Sequence, residues 1–248
     1  TERGVDVRTG TTVEDARDDG DGLDVTVRGP DGAETLRTDR ALVAVGRSPR
    51  TDGLDLHRTR VEVGPDGFVR VDRQQRTTDR RVFAIGDVAG EPMLAHKASH
   101  EGRVAAEVAA GRRAAFDARA IPAVVFTDPA IAWCGLTEID AEARGADVRV
   151  ARFPWSASGR AVTLDRTEGV TRVILDPETR RVLGVGLVGV DAGELIAEAA
   201  LAIEMGATAD DLARTIHPHP TLSETLAEAA EQALGGSPHR APPARADS

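Results

Sequence analysis

The sequence predicts a mixed fold, α/β in its first part and α+β in its second. In residues 1–50, short segments alternate apolar and polar side chains and are separated by turn residues. Near Asp87, an apolar strand leads into a long helix, the repeating unit of an α/β layer. Beyond residue 120, runs of strands are followed by helices set apart from them, which favours an α+β architecture.

The first region, residues 1–50, is predicted to be rich in strands. Apolar side chains face one side of an extended segment at Leu23, Val25 and Val27. Residues 29–32 (GPDG) have the composition of a tight turn. The apolar run 41–45 (ALVAV) predicts a buried strand, and it ends at Gly46. From the residues alone, Gly46 is an ordinary strand-end glycine.

Residues 51–119 place polar groups where a ligand could meet them. After a second turn at 64–67, the apolar segment 82–85 delivers Asp87 at its end, as a buried α/β strand does for a ligand. The helix that follows should begin near residue 93 and end near Gly111. Its first amides, which a ligand could reach, belong to Met93, Leu94, Ala95 and His96.

Blander interpretations of this region stay open. Asp87 could simply cap a turn, which is common for aspartate. His96 and His100 are four residues apart and could bind zinc. They are more simply polar positions on a helix, because no glutamate occupies the metalloprotease position between them.

Residues 120–236 show the signals of a separate α+β domain. Strand-like segments recur at 124–126, 131–133, 148–153, 170–175 and 182–190. Thr137 and Asp140 form a capping box that should open a short helix, and a longer apolar helix should cover 194–205. Cys134 lies in an apolar run and is expected to be a buried small hydrophobe. The polar, proline-rich residues 237–248 are expected to be disordered.

The segment 217–224 (HPHPTLSE) is the most informative part of the chain. Both histidines precede proline, so their backbone is pushed toward an extended geometry. Thr221 and Glu224 make a capping-box pattern for the helix that follows. His219 beside Glu224 can form an acid–base pair. Glu224 as a mere cap with His219 as an exposed loop residue stays open, as does a metal site at His217 and His219, although no zinc-spaced ligand set surrounds them.

Composition narrows the classes of function. The chain has 248 residues, a formal charge of −10 and a pI of about 5.1. Positive charge is not gathered on one stretch, so nothing indicates binding to nucleic acid or to a membrane surface. No apolar run reaches transmembrane length and no signal peptide is visible, so we expect a cytoplasmic protein. A single cysteine excludes an internal disulfide.

Four motifs together resemble the dihydrolipoyl dehydrogenase family of flavoprotein disulfide oxidoreductases. They are AIGD at 84–87, PMLAHK at 92–97, FPWSASGRA at 153–161 and HPHPTLSE at 217–224. The resemblance runs from about residue 5 to residue 235 but covers only the C-terminal half of the family's pattern. The glycine-rich nucleotide loops and the Cys-x4-Cys disulfide of the family are missing, and the chain begins with Thr1. We therefore expect a fragment cut inside the NAD-binding domain.

The resemblance implies a domain order and two cofactors. Residues 1–50 would end an NAD-binding domain, with Gly46 close to NAD, and 51–119 would end an FAD-binding domain. These two are Rossmann-like, and 120–236 would be the α+β dimerisation domain. Asp87 would bond a ribityl hydroxyl of FAD. The amides of residues 93–96 would face the pyrimidine edge of the flavin.

The resemblance also implies a reaction. The enzyme would oxidise the dihydrolipoamide of lipoyl domains, passing electrons through a disulfide and FAD to NAD. His219 would be the base that serves the disulfide of the partner subunit in a homodimer, with Glu224 holding its ring and the His219–Pro220 peptide in the cis form. The chain alone should be inactive and should bind FAD poorly. A glutathione reductase-like activity and a non-catalytic dimerisation module are the alternatives.

Overall fold

The computed structural model describes residues 4–236, so the expected disorder of 237–248 falls outside the described residues. The chain divides into two compact units, one up to Ser48 and one from Pro49 onward. Among residues 4–236, no helix has both the length and the apolar character needed to cross a bilayer.

The first unit is an antiparallel sheet of three strands in the order β1-β2-β3. The strands are β1 (Thr12–Asp18), β2 (Leu23–Gly29) and β3 (Gly32–Thr38). The predicted turn at 29–32 is confirmed, because Gly29 pairs with Gly32 across it. Val27, in the middle of β2, is the buried member of the alternating apolar set.

Two predicted strands do not form. Residues 41–45 have no regular structure, and Leu42 and Val45 are 93% and 92% exposed. Residues 82–85 are reduced to a single bridge between Phe83 and Arg76. A strand depends on backbone hydrogen bonds from its neighbours, and within residues 4–236 no further strand lies beside either segment to supply them.

The predicted long helix is confirmed as α1 (Ala95–Ala109). It follows a 3₁₀ turn (Gly86–Val88) that contains Asp87. The earlier turn at 64–67 is also present, closed by a 2.9 Å bond from the Gly67 N–H to the Gly64 carbonyl. A short loop thus separates Asp87 from the N-terminus of α1.

The second sheet has five antiparallel strands in the order β4-β5-β8-β7-β6. Its strands are β4 (Ala123–Val125), β5 (Ala130–Gly135), β6 (Arg149–Pro154), β7 (Val170–Leu175) and β8 (Val182–Gly189). The helices are α2 (Glu138–Ala143), α3 (Gly159–Thr163), α4 (Ala192–Met205), α5 (Ala209–Arg214) and α6 (Glu224–Leu234). The predicted α+β architecture of this region is confirmed.

Local signals in this domain are also confirmed. Thr137 and Asp140 form both bonds of the capping box at the start of α2. Gly206, with φ of +66°, ends α4 in a left-handed conformation that glycine adopts at little cost. The main hydrophobic core contains buried alanines of α4 and α6 together with Val173 and Leu175 of β7.

Trp155, just after β6, is fully buried and starts a chain of buried hydrogen bonds. Its indole N–H donates to the Thr171 hydroxyl at 3.0 Å, which donates to the Thr225 hydroxyl at 2.8 Å. Thr225 in turn donates to the Leu222 carbonyl at 2.7 Å. This chain ties the sheet to the N-terminus of α6, where the motif 217–224 ends.

We expect Thr225→Val to lower the free energy of unfolding by about 1–3 kcal/mol, because the buried Thr171 hydroxyl loses its acceptor. Thr163→Val is a matched control, because the exposed Thr163 hydroxyl also donates to the carbonyl three residues earlier, at 2.8 Å. Water can replace that bond, so the control should change stability by less than about 0.5 kcal/mol. Urea unfolding measures both, and equal effects of the two substitutions would contradict a role for the buried chain.

Cys134 on β5 is 1% exposed, which confirms the prediction of a buried small hydrophobe. Burial raises the pKa of its thiol from the ordinary value of 9.0 to about 12. The folded protein therefore holds this proton more tightly than the unfolded chain does. The thiol contributes stability that is complete below pH 9 and is lost as the pH rises toward 12.

We expect the free energy of unfolding to fall with pH in this window, and less steeply in Cys134→Ala. The chain has no tyrosine and Lys97 is its single lysine, so few other side chains titrate there. Urea unfolding at about pH 8 and about pH 10.5 measures the slope. The same fall in both proteins would show that the thiol does not carry the effect.

Candidate functional site

In the segment 217–224, the ring of His219 contacts the carboxylate of Glu224. The Nδ1 atom of His219 lies 2.9 Å from Oε1 of Glu224, within the predicted hydrogen-bond reach. The other oxygen of Glu224 accepts the Thr221 N–H at 2.7 Å. Glu224 therefore makes both contacts that the sequence left as alternatives, one to the ring and one to the backbone. The His219–Pro220 peptide is cis, as expected.

The start of α6 differs from the sequence prediction. The helix begins at Glu224 and is preceded by Ser223, so Thr221 is not its N-cap. The Thr221 hydroxyl donates to the Pro218 carbonyl at 2.7 Å and also lies 2.9 Å from the Ser223 hydroxyl. The Thr221 hydroxyl thus bonds within its own loop, and of the predicted capping box only the carboxylate half forms.

His219 presents its second nitrogen to solvent. Its side chain is 69% exposed, whereas Glu224 is 23% exposed. Within residues 4–236, Nε2 has no hydrogen-bond partner, so it is available to a reactant. A cavity of about 170 Å³ lies beside the pair. Its other lining residues are Phe153, Ala157, Ser158, Gly159, Thr225 and Glu228. The motif 153–161 thus forms one wall of the cavity next to His219.

His217, the first histidine of the motif, has a different environment. Its side chain is 7% exposed, and its two ring nitrogens face the Thr215 carbonyl at 2.9 Å and Glu198 Oε1 at 2.8 Å. Glu198 belongs to α4, so His217 anchors the loop to that helix. The two histidine rings contact different carboxylates, whereas the ligands of a metal site converge on one point.

A second cluster surrounds Asp87 and the start of α1. Asp87 is half-buried in its 3₁₀ turn, and no side chain caps α1 at Leu94. The Met93 N–H donates to Glu91 Oε2 at 3.0 Å, and the Leu94 N–H donates to the Pro92 carbonyl at 2.9 Å. Of the four amides that the sequence placed toward a ligand, those two are therefore already engaged.

The amides of Ala95 and His96 are the two that remain. In the described part of the chain neither has an acceptor, as is usual in the first turn of a helix. The His96 ring points elsewhere, and its Nε2 lies 2.7 Å from the Pro122 carbonyl. An acidic group beside two unpaired amides is a donor and acceptor set suited to a polar, electron-rich ligand.

Gly46 lies in the first compact unit, apart in sequence from the other candidates. Its φ of +132° favours glycine, and no heavy atom lies within 4 Å of where a Cβ would stand. Space is therefore open for a ligand to approach the backbone there.

Two glutamates that matter to these clusters were not foreseen from the sequence. Glu198 contacts His217 across nineteen residues, and Glu101 accepts the Gly86 N–H across fifteen. Both contacts join residues far apart in the chain, so no short motif in the sequence indicated them.

Two family models match the chain in succession. Residues 1–102 match the pyridine nucleotide-disulphide oxidoreductase model, and residues 121–230 match the dimerisation domain of the same family. The second match covers the five-stranded sheet and most of its helices.

Curated relatives are named dihydrolipoyl dehydrogenase. The protein from Halobacterium salinarum is 53% identical over 239 residues, which is 96% of this chain and 50% of the relative. The protein from Thermus scotoductus is 54% identical over 230 residues, which is 92% of this chain and 50% of the relative. The chain spans about half the length of the curated relatives it matches.

Solved structures share the fold. LpdA of Mycobacterium tuberculosis superimposes with a TM-score of 0.84 at 31% identity, covering 94% of this chain and 50% of that one. The HOCl-induced flavoprotein disulfide reductase RclA of Escherichia coli gives 0.78 at 29% identity, covering 89% and 50%. With its sheets, helices and sequence all matched to consecutive parts of one family, the chain belongs to the pyridine nucleotide-disulphide oxidoreductases.

Proposed function

We propose that this chain provides the acid–base pair, the dimerisation domain and part of the flavin site of a dihydrolipoyl dehydrogenase. The contact between His219 and Glu224 is the observation that carries the proposal. It supports the proposal because it orients one ring nitrogen of an exposed histidine and leaves the other nitrogen open to a reactant. The names of the curated relatives supply the substrate class, a protein-bound dihydrolipoamide.

The chemistry requires a base because a thiolate, not a thiol, attacks a disulfide. Nε2 of His219 takes the proton of a dihydrolipoamide thiol, and the thiolate attacks one sulfur of the enzyme disulfide. That S–S bond breaks, and a mixed disulfide and an enzyme thiolate result. His219 gives its proton to that enzyme thiolate and then takes the proton of the second substrate thiol. The resulting thiolate attacks the substrate sulfur of the mixed disulfide, which closes the lipoamide ring, and the released enzyme thiolate takes the proton back from His219, leaving an enzyme dithiol.

Glu224 sets the ring for this step. Its carboxylate accepts only, so Nδ1 carries the ring proton and Nε2 offers its lone pair. The negative charge also lies next to the imidazolium that forms when Nε2 takes the proton. Cys134, the single cysteine of the chain, is buried with a raised pKa and cannot supply the redox disulfide.

The cluster at the start of α1 fits FAD. Asp87 would accept a ribityl hydroxyl, and the free amides of Ala95 and His96 would face the electron-rich edge of the flavin. Gly46 would let NAD approach the backbone. FAD held there would supply two-electron transfer between the enzyme dithiol and NAD. RclA, whose solved structure shares the fold, is named a flavoprotein, which supports this assignment.

A homodimer completes the proposal. Residues 121–230 match a dimerisation domain, and α4 exposes two apolar side chains, Leu201 at 63% and Met205 at 75%. An apolar interface between subunits would cover them. His219 would then serve the disulfide of the partner subunit, and lipoyl domains would bring the substrate to the pair of chains.

We expect His219→Gln in the full-length enzyme to slow reduction of the flavin by dihydrolipoamide by about 10²–10⁴-fold, the usual contribution of a positioned base. Electron transfer from NADH to the flavin should be nearly unchanged, since no substrate thiol takes part in it. Stopped-flow absorbance of the flavin measures both rates. The exposed His57 gives a matched control, because His57→Gln should change neither rate. Near-normal dihydrolipoamide turnover in His219→Gln would show that the base is another group.

We expect the full-length protein to be a dimer at micromolar concentration, because obligate interfaces commonly bury more than about 2,000 Å². Leu201→Glu should raise the dissociation constant of the dimer by about tenfold or more, since it places a charge in an apolar contact. Leu54→Glu is the control, because Leu54 is also exposed, at 56%, but lies outside the dimerisation domain. Sedimentation velocity measures the masses, and a monomeric wild-type protein would contradict the proposal.

A further inference from the structure

A buried ion pair lies on the inner face of α1. Lys97 and Glu101 are one turn apart, each has a side chain only 5% exposed, and Nζ lies 2.9 Å from Oε1. Taking both charges out of water costs free energy that their attraction does not reliably return. A buried pair is therefore weak evidence for stability, and its remaining contacts indicate what else it does.

Each partner uses a second contact on the segment that precedes the helix. Oε2 of Glu101 accepts the Gly86 N–H at 2.6 Å. Nζ of Lys97 donates to the Gly90 carbonyl at 3.0 Å. The pair thus holds both ends of the segment 86–90, which contains Asp87. Bonds to charged groups are shorter and stronger than neutral ones, so these two contacts restrain the backbone firmly.

Close packing also holds this part of the chain against α1. Gly86 has φ of +72°, and a Cβ there would lie 2.9 Å from the Ala98 Cβ. Gly102 is also close, because a Cβ on it would lie 3.2 Å from Cδ1 of Ile85. The two residues just before Asp87 therefore lie directly against α1, whose Ala95 and His96 amides have no acceptor in the described part of the chain.

We propose that Lys97 and Glu101 are positioning residues for the flavin site. They fix the Asp87 carboxylate relative to the free amides of Ala95 and His96, so that one ligand can contact both. Neither residue touches the ligand in this proposal. The inference rests on the proposed function, since it assigns the pair to the flavin site described there.

A double-substitution cycle between Glu101 and Asp87 tests this inference. Glu101→Gln keeps the shape of the side chain but replaces the ion pair with an amide that cannot satisfy both Lys97 and Gly86. Asp87→Asn removes the charge of the group that is being positioned. The dissociation constant of FAD is measured for the full-length apoprotein by quenching of flavin fluorescence, for the wild type, both single variants and the double variant.

We expect Glu101→Gln alone to weaken FAD binding by about 10–100-fold, the usual effect of removing a residue that orients a ligand-binding group. In the Asp87→Asn background the same substitution should weaken binding by less than about threefold, because the group it positions is already impaired. Glu107→Gln, the same change at a half-buried position further along α1, should leave the dissociation constant unchanged.

The outcomes separate the two proposals. If Asp87→Asn alone leaves FAD affinity unchanged, the flavin site at Asp87 is wrong and the positioning role falls with it. If Asp87→Asn weakens FAD but Glu101→Gln has no effect, or the same effect in both backgrounds, the positioning role alone is wrong. Should Glu101→Gln fail to fold, Lys97→Arg replaces it in the same cycle, because a guanidinium keeps the charge without the ammonium geometry.

Discussion

The carboxylate of Glu224 is the contact on which the C-terminal site depends. It reaches back from the first residue of α6 and divides its oxygens between the His219 ring and the Thr221 N–H. A charged acceptor strengthens both bonds. One carboxylate thus holds both the His219 ring and the backbone two residues further on. The same contact therefore sets the local structure and the geometry of the proposed proton transfer.

The rest of the domain holds that contact in place. His217 joins the loop to Glu198 of α4, and the hydroxyl chain from Trp155 through Thr171 reaches Thr225 in the first turn of α6. These groups are largely or fully buried, whereas the His219 ring faces solvent. A side chain keeps its geometry when packed and well-bonded groups support it, and the proposed base has such support here.

What could be predicted from sequence was local. The capping box at Thr137, the turn at 29–32, the strands of the five-stranded sheet and the contact between His219 and Glu224 all follow from residues a few positions apart. The strand predicted at 41–45 is wrong, because an apolar segment becomes a buried strand only where neighbouring strands pair with it. The predicted cap at Thr221 is wrong because the helix begins later, at Glu224, and the Thr221 hydroxyl bonds within its own loop.

The same kind of contact occurs in both clusters, but the sequence predicted only one of the two. A glutamate on a helix accepts a backbone N–H from the irregular segment that carries the functional group: Glu224 with Thr221, and Glu101 with Gly86. Glu224 lies three residues from its donor and appears as a capping pattern. Glu101 lies fifteen residues away, and the packing of the Gly86 segment on α1 brings the two together. In a chain with 41 acidic residues, composition cannot distinguish such an anchor from a solvated surface charge. The structure does distinguish it, because a carboxylate buried away from water must find hydrogen-bond donors, and Glu101 finds the Gly86 N–H and Lys97.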